Sequence, residues 1–165
     1  MKLFNIHILS LFVLMLLSPS ALANDNYQTQ VQNLIATDSP PEGVVFEVVN
    51  RDEHYLDWAM PEVERIVKLL REKFPQLDVA VVTHGSEQFA LTKQNLGGNA
   101  ALSNSLDSLL DSNVPVHVCG TFAEWKGVAP EEFSELVNVA AAGPAQINDY
   151  RSLGYVRIRI DKQSR

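Results

Sequence analysis

Cysteine is almost absent from this 165-residue sequence: only Cys119, in the stretch VPVHVCGTFAEW (Val114 to Trp125), carries a thiol. A lone thiol excludes an intrachain disulfide, so the fold has to be held by burial. Basic charge is also scarce, with 13 Lys and Arg against 20 Asp and Glu, and that balance argues against nucleic acid or an anionic membrane as a partner. Beyond residue 17 no second apolar run reaches membrane length. His54, His84, His117 and Cys119 have metal-capable atoms, but none stands in the paired short spacing of a zinc motif, so no metal site is expected. The chain contains no Gly-x-Ser-x-Gly elbow and no Gly-x-Gly-x-x-Gly after its first strand. Hydrolase and dehydrogenase functions lose their main support, and no cofactor is expected.

What is present begins with a short basic start at Lys2 and an apolar run from Ile8 to Leu17, closing on Ala21-Leu22-Ala23. This pattern is that of a cleaved secretory signal at residues 1–23, with a retained N-terminal anchor as the alternative. Removal of the leader leaves 142 residues with 12 basic and 20 acidic side chains, a balance of −8. A mature chain of that length fits one domain with a core of its own. The expected location is the periplasm, free of the membrane after cleavage. Residues 24–42 read as a polar N-terminal arm ending in the linker-like ATDSPPEG, and residues 43–165 as the domain.

From Gly43 onward, apolar β-rich runs alternate with helix-like ones. The runs are VVFEVV (Val44 to Val49), VAVVT (Val79 to Thr83), VPVHV (Val114 to Val118), LVNVAA (Leu136 to Ala141) and YVRIRI (Tyr155 to Ile160). This alternation predicts a single α/β domain with about five strands in a mostly parallel sheet and helices on both faces. Leu56, Ala59, Val63, Ile66, Val67, Leu70 and Phe74 form one face of an amphipathic helix, with Pro61 suited to its first turn and Pro75 at its end. Leu102, Leu106, Leu109 and Leu110 mark the next helix. Leu91 to Asn99 reads as a loop in which Gly97-Gly98 forms a turn or a flap. The last helix runs from Gly143-Pro144 to Gly154. Alternation in YVRIRI suggests a sheet edge, its arginines serving as edge protection or as a partner surface.

In an open α/β sheet, ligands bind beyond the carboxyl ends of the strands, where Cys119 should lie. Thr121 and Glu124 have capping-box spacing, which predicts a short helix from Thr121 to about Gly127 with the thiol two residues upstream. Unpaired amides at such a terminus favour an anion, the form in which sulfur attacks, and Gly120 would leave the sulfur approachable. An inert, buried thiol is the alternative. His84 ends the second strand and either handles protons for the sulfur or bonds a backbone carbonyl. His117, on the same strand face as Cys119 but deeper, reads as a packing or hydrogen-bonding residue.

The order of VVTHG, VHVCG and AAGPAQINDYRSLGYVRI, after a hydrophobic first strand and its helix, resembles the DsrE/DsrF-like family of small α/β proteins associated with sulfur relay. The resemblance runs from about GVVFEVV to GYVRIRI. It implies that Cys119 accepts sulfur as a persulfide, that His84-Gly85 and Gly154-Tyr155 are the corresponding motif positions, and that the protein forms a homo-oligomer, a trimer or hexamer. Many relatives open the last helix with small-Gly-x-x-Glu; this chain has Ala142-Gly143-Pro144-Ala145-Gln146, an amide in place of the carboxylate.

The function expected is therefore an exported protein that binds or relays sulfane sulfur on Cys119, with His84 as proton shuttle and with Gly85, Gly120 and Thr121 around the sulfur. A sulfur-donor or acceptor protein would be its partner. The alternative is a non-catalytic oligomeric module that binds a small ligand or a protein and in which Cys119 is structural. Expressed with its leader in a Gram-negative host, the protein should be recovered from the periplasm with an intact mass that begins at Asn24. A membrane-bound species that keeps Met1 would contradict this.

Overall fold

The computed structural model describes residues 26–162. The expected leader, residues 1–23, lies outside them. Five strands form one all-parallel sheet: β1 (Gly43–Val48), β2 (Asp78–Thr83), β3 (Val116–Cys119), β4 (Asn138–Ala140) and β5 (Tyr155–Ile160), in the order β4-β3-β2-β1-β5. Each lies within or beside an apolar run seen in the sequence. β5 is an edge strand, as its alternation implies, with Ile158 and Ile160 buried and Arg157 and Arg159 turned out.

The two faces of the sheet are covered unequally. Val44, Phe46, Val48, Val79, Val81, Val116, Val118, Ile158 and Ile160 join one large core with α2 (Leu56–Lys73) and α4 (Ala100–Asp111). Residues of opposite parity, Val45, Ala80 and Val82, meet only Ile147, Tyr150 and Tyr155 in a smaller cluster under α6 (Gly143–Ser152). Strict parity follows from the pleat: successive side chains point to opposite faces. Glu47, His84, His117, Cys119 and Arg157 therefore share the thinly covered α6 face.

Three local expectations are revised. Pro61 is the sixth residue of α2, because turns at Asp52 to Tyr55 lead into the helix. There it removes the bond that the Asp57 carbonyl would accept. Residues 91–99 are not a loop: a 3₁₀ turn (Ser86–Leu91) leads into α3 (Lys93–Gly97), capped by Thr92, with Gly98 as the turn after it. The stretch read as an arm carries α1 (Tyr27–Ile35), capped by Asn26, whose side chain accepts from the Thr29 amide at 2.8 Å.

α1 is anchored to the body of the fold. Tyr27 and Val31 are buried in the large core. The Tyr27 ring sits edge-on to Trp58 at 6.4 Å, and its hydroxyl donates to Glu62 at 3.1 Å. Deleting a buried aromatic side chain costs about 3–5 kcal/mol, whereas truncating a side chain of a loose arm costs close to nothing. Tyr27→Ala should accordingly lower the free energy of urea unfolding by about 3 kcal/mol. An unchanged midpoint would show that α1 does not belong to the cooperative unit.

Candidate functional site

At the carboxyl ends of β2 and β3, the chain has to leave the sheet without stranding buried backbone groups. β2 stops at Thr83, and the Glu87 carboxylate, fully buried, folds back under the departing chain. It accepts from the Gly85 amide at 2.8 Å, the Thr83 hydroxyl at 2.5 Å, the His84 amide at 3.2 Å and, through its other oxygen, the Asn50 amide at 2.6 Å. Gly85 is needed because a Cβ there would lie 2.3 Å from that carboxylate and 2.4 Å from the Asn50 carbonyl. Its amide is bonded to Glu87, and the residue shapes the turn.

β3 extends one residue past its pairing with β2, which ends at Val118. The fully buried Gln88 replaces the missing strand there. Its side-chain oxygen accepts from the Cys119 amide at 2.7 Å, and its nitrogen donates to the Cys119 carbonyl at 3.3 Å. This amide clamp holds the backbone of the one thiol-bearing residue.

α5 (Gly120–Trp125) starts one residue earlier than the capping-box spacing predicts. Cys119 itself is the N-cap, and its Sγ accepts from the Phe122 amide at 3.5 Å. Thr121 is diverted: its hydroxyl and its amide both donate to the Ala141 carbonyl, at 2.7 and 3.0 Å. Thr121 therefore fastens α5 to the segment after β4 and leaves no amide for sulfur. Gly120 lies close to β4, where a Cβ would come within 3.0 Å of the Ala140 carbonyl. At six residues α5 contributes little macrodipole, so the Phe122 amide is the effective donor to Sγ. The thiol is free but only 4% exposed.

His84 reaches the same place from β2. A Cβ on Gly143, the first residue of α6, would lie 2.5 Å from the Cβ of His84 and 3.3 Å from that of Cys119. The bare glycine thus packs against both side chains, and a substituent there would have to displace His84. His84 Nε2 lies 2.8 Å from Glu47 Oε1, and Glu47 Oε2 accepts from Arg157 Nε at 2.7 Å. Glu47 is 6% exposed. Burial opposes its ionisation, but the hydrogen bond from His84 and the Arg157 guanidinium outweigh that and hold the carboxyl below its ordinary value. A carboxylate so depressed adds stability at neutral pH that is lost as pH falls through its folded value.

His117 is half-buried, two residues before Cys119, and its Nε2 pairs with the Tyr150 hydroxyl at 2.9 Å, the hydrogen-bonding alternative of the two expected of it. Burial lowers its proton affinity. His54 stands apart on an exposed turn beside Asp57. Gly154, with φ +90°, makes the turn after α6, and the Tyr155 ring lies tilted against that of Tyr150 at 5.0 Å. Gln146 lies half-buried on α6. Among the described residues no group of three or more His, Cys, Asp or Glu is placed to hold a metal ion, and no helix is long and apolar enough to cross a membrane.

The structure thus joins His84 and Cys119, and it adds Glu47, Gln88, Gly143 and Arg157, none of which stood out as site residues in the sequence. Glu47 had a visible signal: it is the one charge inside VVFEVV, and a buried charge demands partners.

No protein-family model matches the sequence, and no curated protein is a significant match. Solved structures do share the fold. MTH1491 from Methanobacterium thermoautotrophicum, a protein of unknown function, superposes with a TM-score of 0.58 at 20% identity, over 71% of this chain and 97% of its own. The YchN protein of E. coli gives a TM-score of 0.51 at 18% identity, over 72% and 99% of the two chains. At these identities the likeness shows the fold: a single α/β domain on a five-stranded parallel sheet, as the DsrE/DsrF-like resemblance implies.

Replacing Gln88 by the similarly sized but apolar Met leaves the buried amide of Cys119 unpaired, while its carbonyl, at the N-cap of α5, keeps the first helical bond. At about 1–3 kcal/mol for an orphaned group, Gln88→Met should cost roughly that much in urea unfolding. A loss near zero would mean that the clamp does not hold Cys119.

Proposed function

We propose that this protein carries sulfane sulfur, accepting it as a persulfide on Cys119 and passing it to an acceptor thiol. The observation that carries this reading is the placement of Sγ at the N-cap of α5, under the Phe122 amide and beside His84 across Gly143. An amide aimed at sulfur stabilises the thiolate and, after transfer, the persulfide anion, while a neighbouring imidazole can take and return a proton. Attack of the thiolate on a polysulfide or persulfide donor forms one S–S bond and breaks another. The protein acts in this scheme as a carrier, with at most sulfurtransferase-like activity, and the chemistry calls for neither metal nor cofactor.

The leader-like first 23 residues support export, and so this scheme places the carrier in the periplasm, where its partners are a sulfur donor and an acceptor protein. The DsrE/DsrF-like resemblance supports a trimer or hexamer. A second reading, a non-catalytic oligomeric module with a structural cysteine, is favoured by one observation, the 4% exposure of Cys119. In the carrier reading, that burial requires the start of α6 to shift for sulfur to enter, and it protects the persulfide from oxidation in between.

Intact mass spectrometry separates the two. Mature protein treated with polysulfide should gain sulfur on most molecules, reversibly with dithiothreitol, and Cys119→Ser should gain none. Failure of the wild type to gain sulfur, or gain that survives Cys119→Ser, overturns the carrier reading.

A further inference from the structure

The carrier scheme uses His84 and Cys119 and leaves unexplained the most heavily bonded charge on the α6 face. Glu47 is a glutamate in the middle of a strand whose six residues are all buried. Both of its oxygens are engaged, one by His84 and the other by the Nε and Nη2 of Arg157. Holding a charge there sacrifices hydration that only well-placed partners can offset. A valine or isoleucine would fill the position at no such cost. The side chain does nothing for the large core, since it points to the opposite face.

The bond to His84 has a chemical consequence. An ionised carboxylate only accepts, so the imidazole nitrogen facing it, Nε2, carries the proton. In the neutral ring the lone pair is then on Nδ1, the nitrogen bonded to Cγ. Cγ lies 3.2 Å from the point where a Gly143 Cβ would sit, and the Cβ of Cys119 lies 3.3 Å from that point. Other charges near the ring are few. Arg157 reaches it through Glu47, Glu87 through the His84 backbone amide, and Arg159 shares the outer face of β5 with Arg157. The first turn of α6 carries no acidic residue.

We infer that Glu47, fixed by Arg157, is a positioning residue that holds His84 as the Nε2–H tautomer and so makes Nδ1 the base for the Cys119 thiol. This inference rests on the carrier reading of Cys119. In the step it describes, the S–H bond breaks, its proton passes to Nδ1, and the imidazolium is balanced by the Glu47 carboxylate. The thiolate attacks the terminal sulfur of a hydropersulfide donor, R–S–SH. A new S–S bond forms on Cys119, the donor S–S bond breaks, and the leaving R–S⁻ takes the proton back from His84. No external oxidant or reductant is needed, since the sulfane sulfur changes partners at constant oxidation state.

The test combines two readouts. First, nitrogen-15 NMR of the His84 ring in the wild-type protein near neutral pH should show Nε2 protonated and Nδ1 bare. Predominance of the Nδ1–H form overturns the inference, whatever sulfur chemistry Cys119 performs. Second, sulfur uptake from cysteine hydropersulfide is timed for the wild type, Glu47→Gln, His84→Ala and the double variant. An amide can donate to Nε2 and reverse the tautomer, so Glu47→Gln should slow uptake at least 100-fold, the range of a lost general base. His84→Ala should slow it by a similar factor, and the double variant no further, because both changes remove one base. Uptake by Glu47→Gln at the wild-type rate, or multiplying losses in the double variant, overturns the positioning role. Absence of uptake by the wild type defeats the carrier reading and the base role with it, whereas the tautomer measurement still decides whether Glu47 sets the protonation of His84.

Discussion

A carboxylate inside a parallel sheet has to be met on every side, and the bridge from Glu47 to His84 and Arg157 meets this one. It ties the carboxyl end of β2 to the edge strand β5 through β1, on the face that α6 alone covers. Strand order gives this bridge a further meaning. The chain runs outward from β1 through β2 and β3 to β4 and then returns to the other flank of β1, so order reverses between β1 and β5. Crevices at such reversals are where open α/β sheets bind ligands. Cys119 is two strands away, and the chain of polar side chains from Arg157 through Glu47 to His84 spans that gap.

Around the bridge, two other buried polar side chains do the work of missing strands. Glu87 collects the amides of the turn after β2, and Gln88 pairs with the backbone of Cys119 where β2 has ended. Both are fully buried, and among the described residues no buried side-chain nitrogen or oxygen lacks a partner. The consequence is a hydrogen-bonded frame under the thiol on one side, with α6, which begins at Gly143-Pro144, covering the other. Such an arrangement suits the proposed carrier, whose sulfur has to be held in place.

Much of this was legible in the chain. All five strands and the helices marked by Leu56 to Phe74, Leu102 to Leu110 and Gly143 to Gly154 follow from hydrophobic period and from Pro and Gly punctuation. The parity that brings His84, His117 and Cys119 to one face was also readable. What escaped was decided by tertiary partners. Thr121 and Glu124 have capping-box spacing, yet the Ala141 carbonyl beside α5 claims both donors of Thr121, and the helix starts at Gly120 with Cys119 as its cap. Tyr27 looks like part of a polar arm until Trp58 and Glu62 are seen beneath it. Gly143 looks like a helix start, and only the close approach of His84 and Cys119 shows that it also has to be bare.

The most direct measurement is a crystal structure of the protein after treatment with polysulfide. The account predicts one added sulfur on Cys119 Sγ, within hydrogen-bonding reach of the Phe122 amide and the His84 ring, with the Glu47–Arg157 pair intact. Density for a bare Cys119, or for a modified Cys119 with its added sulfur turned away from both groups, would contradict it.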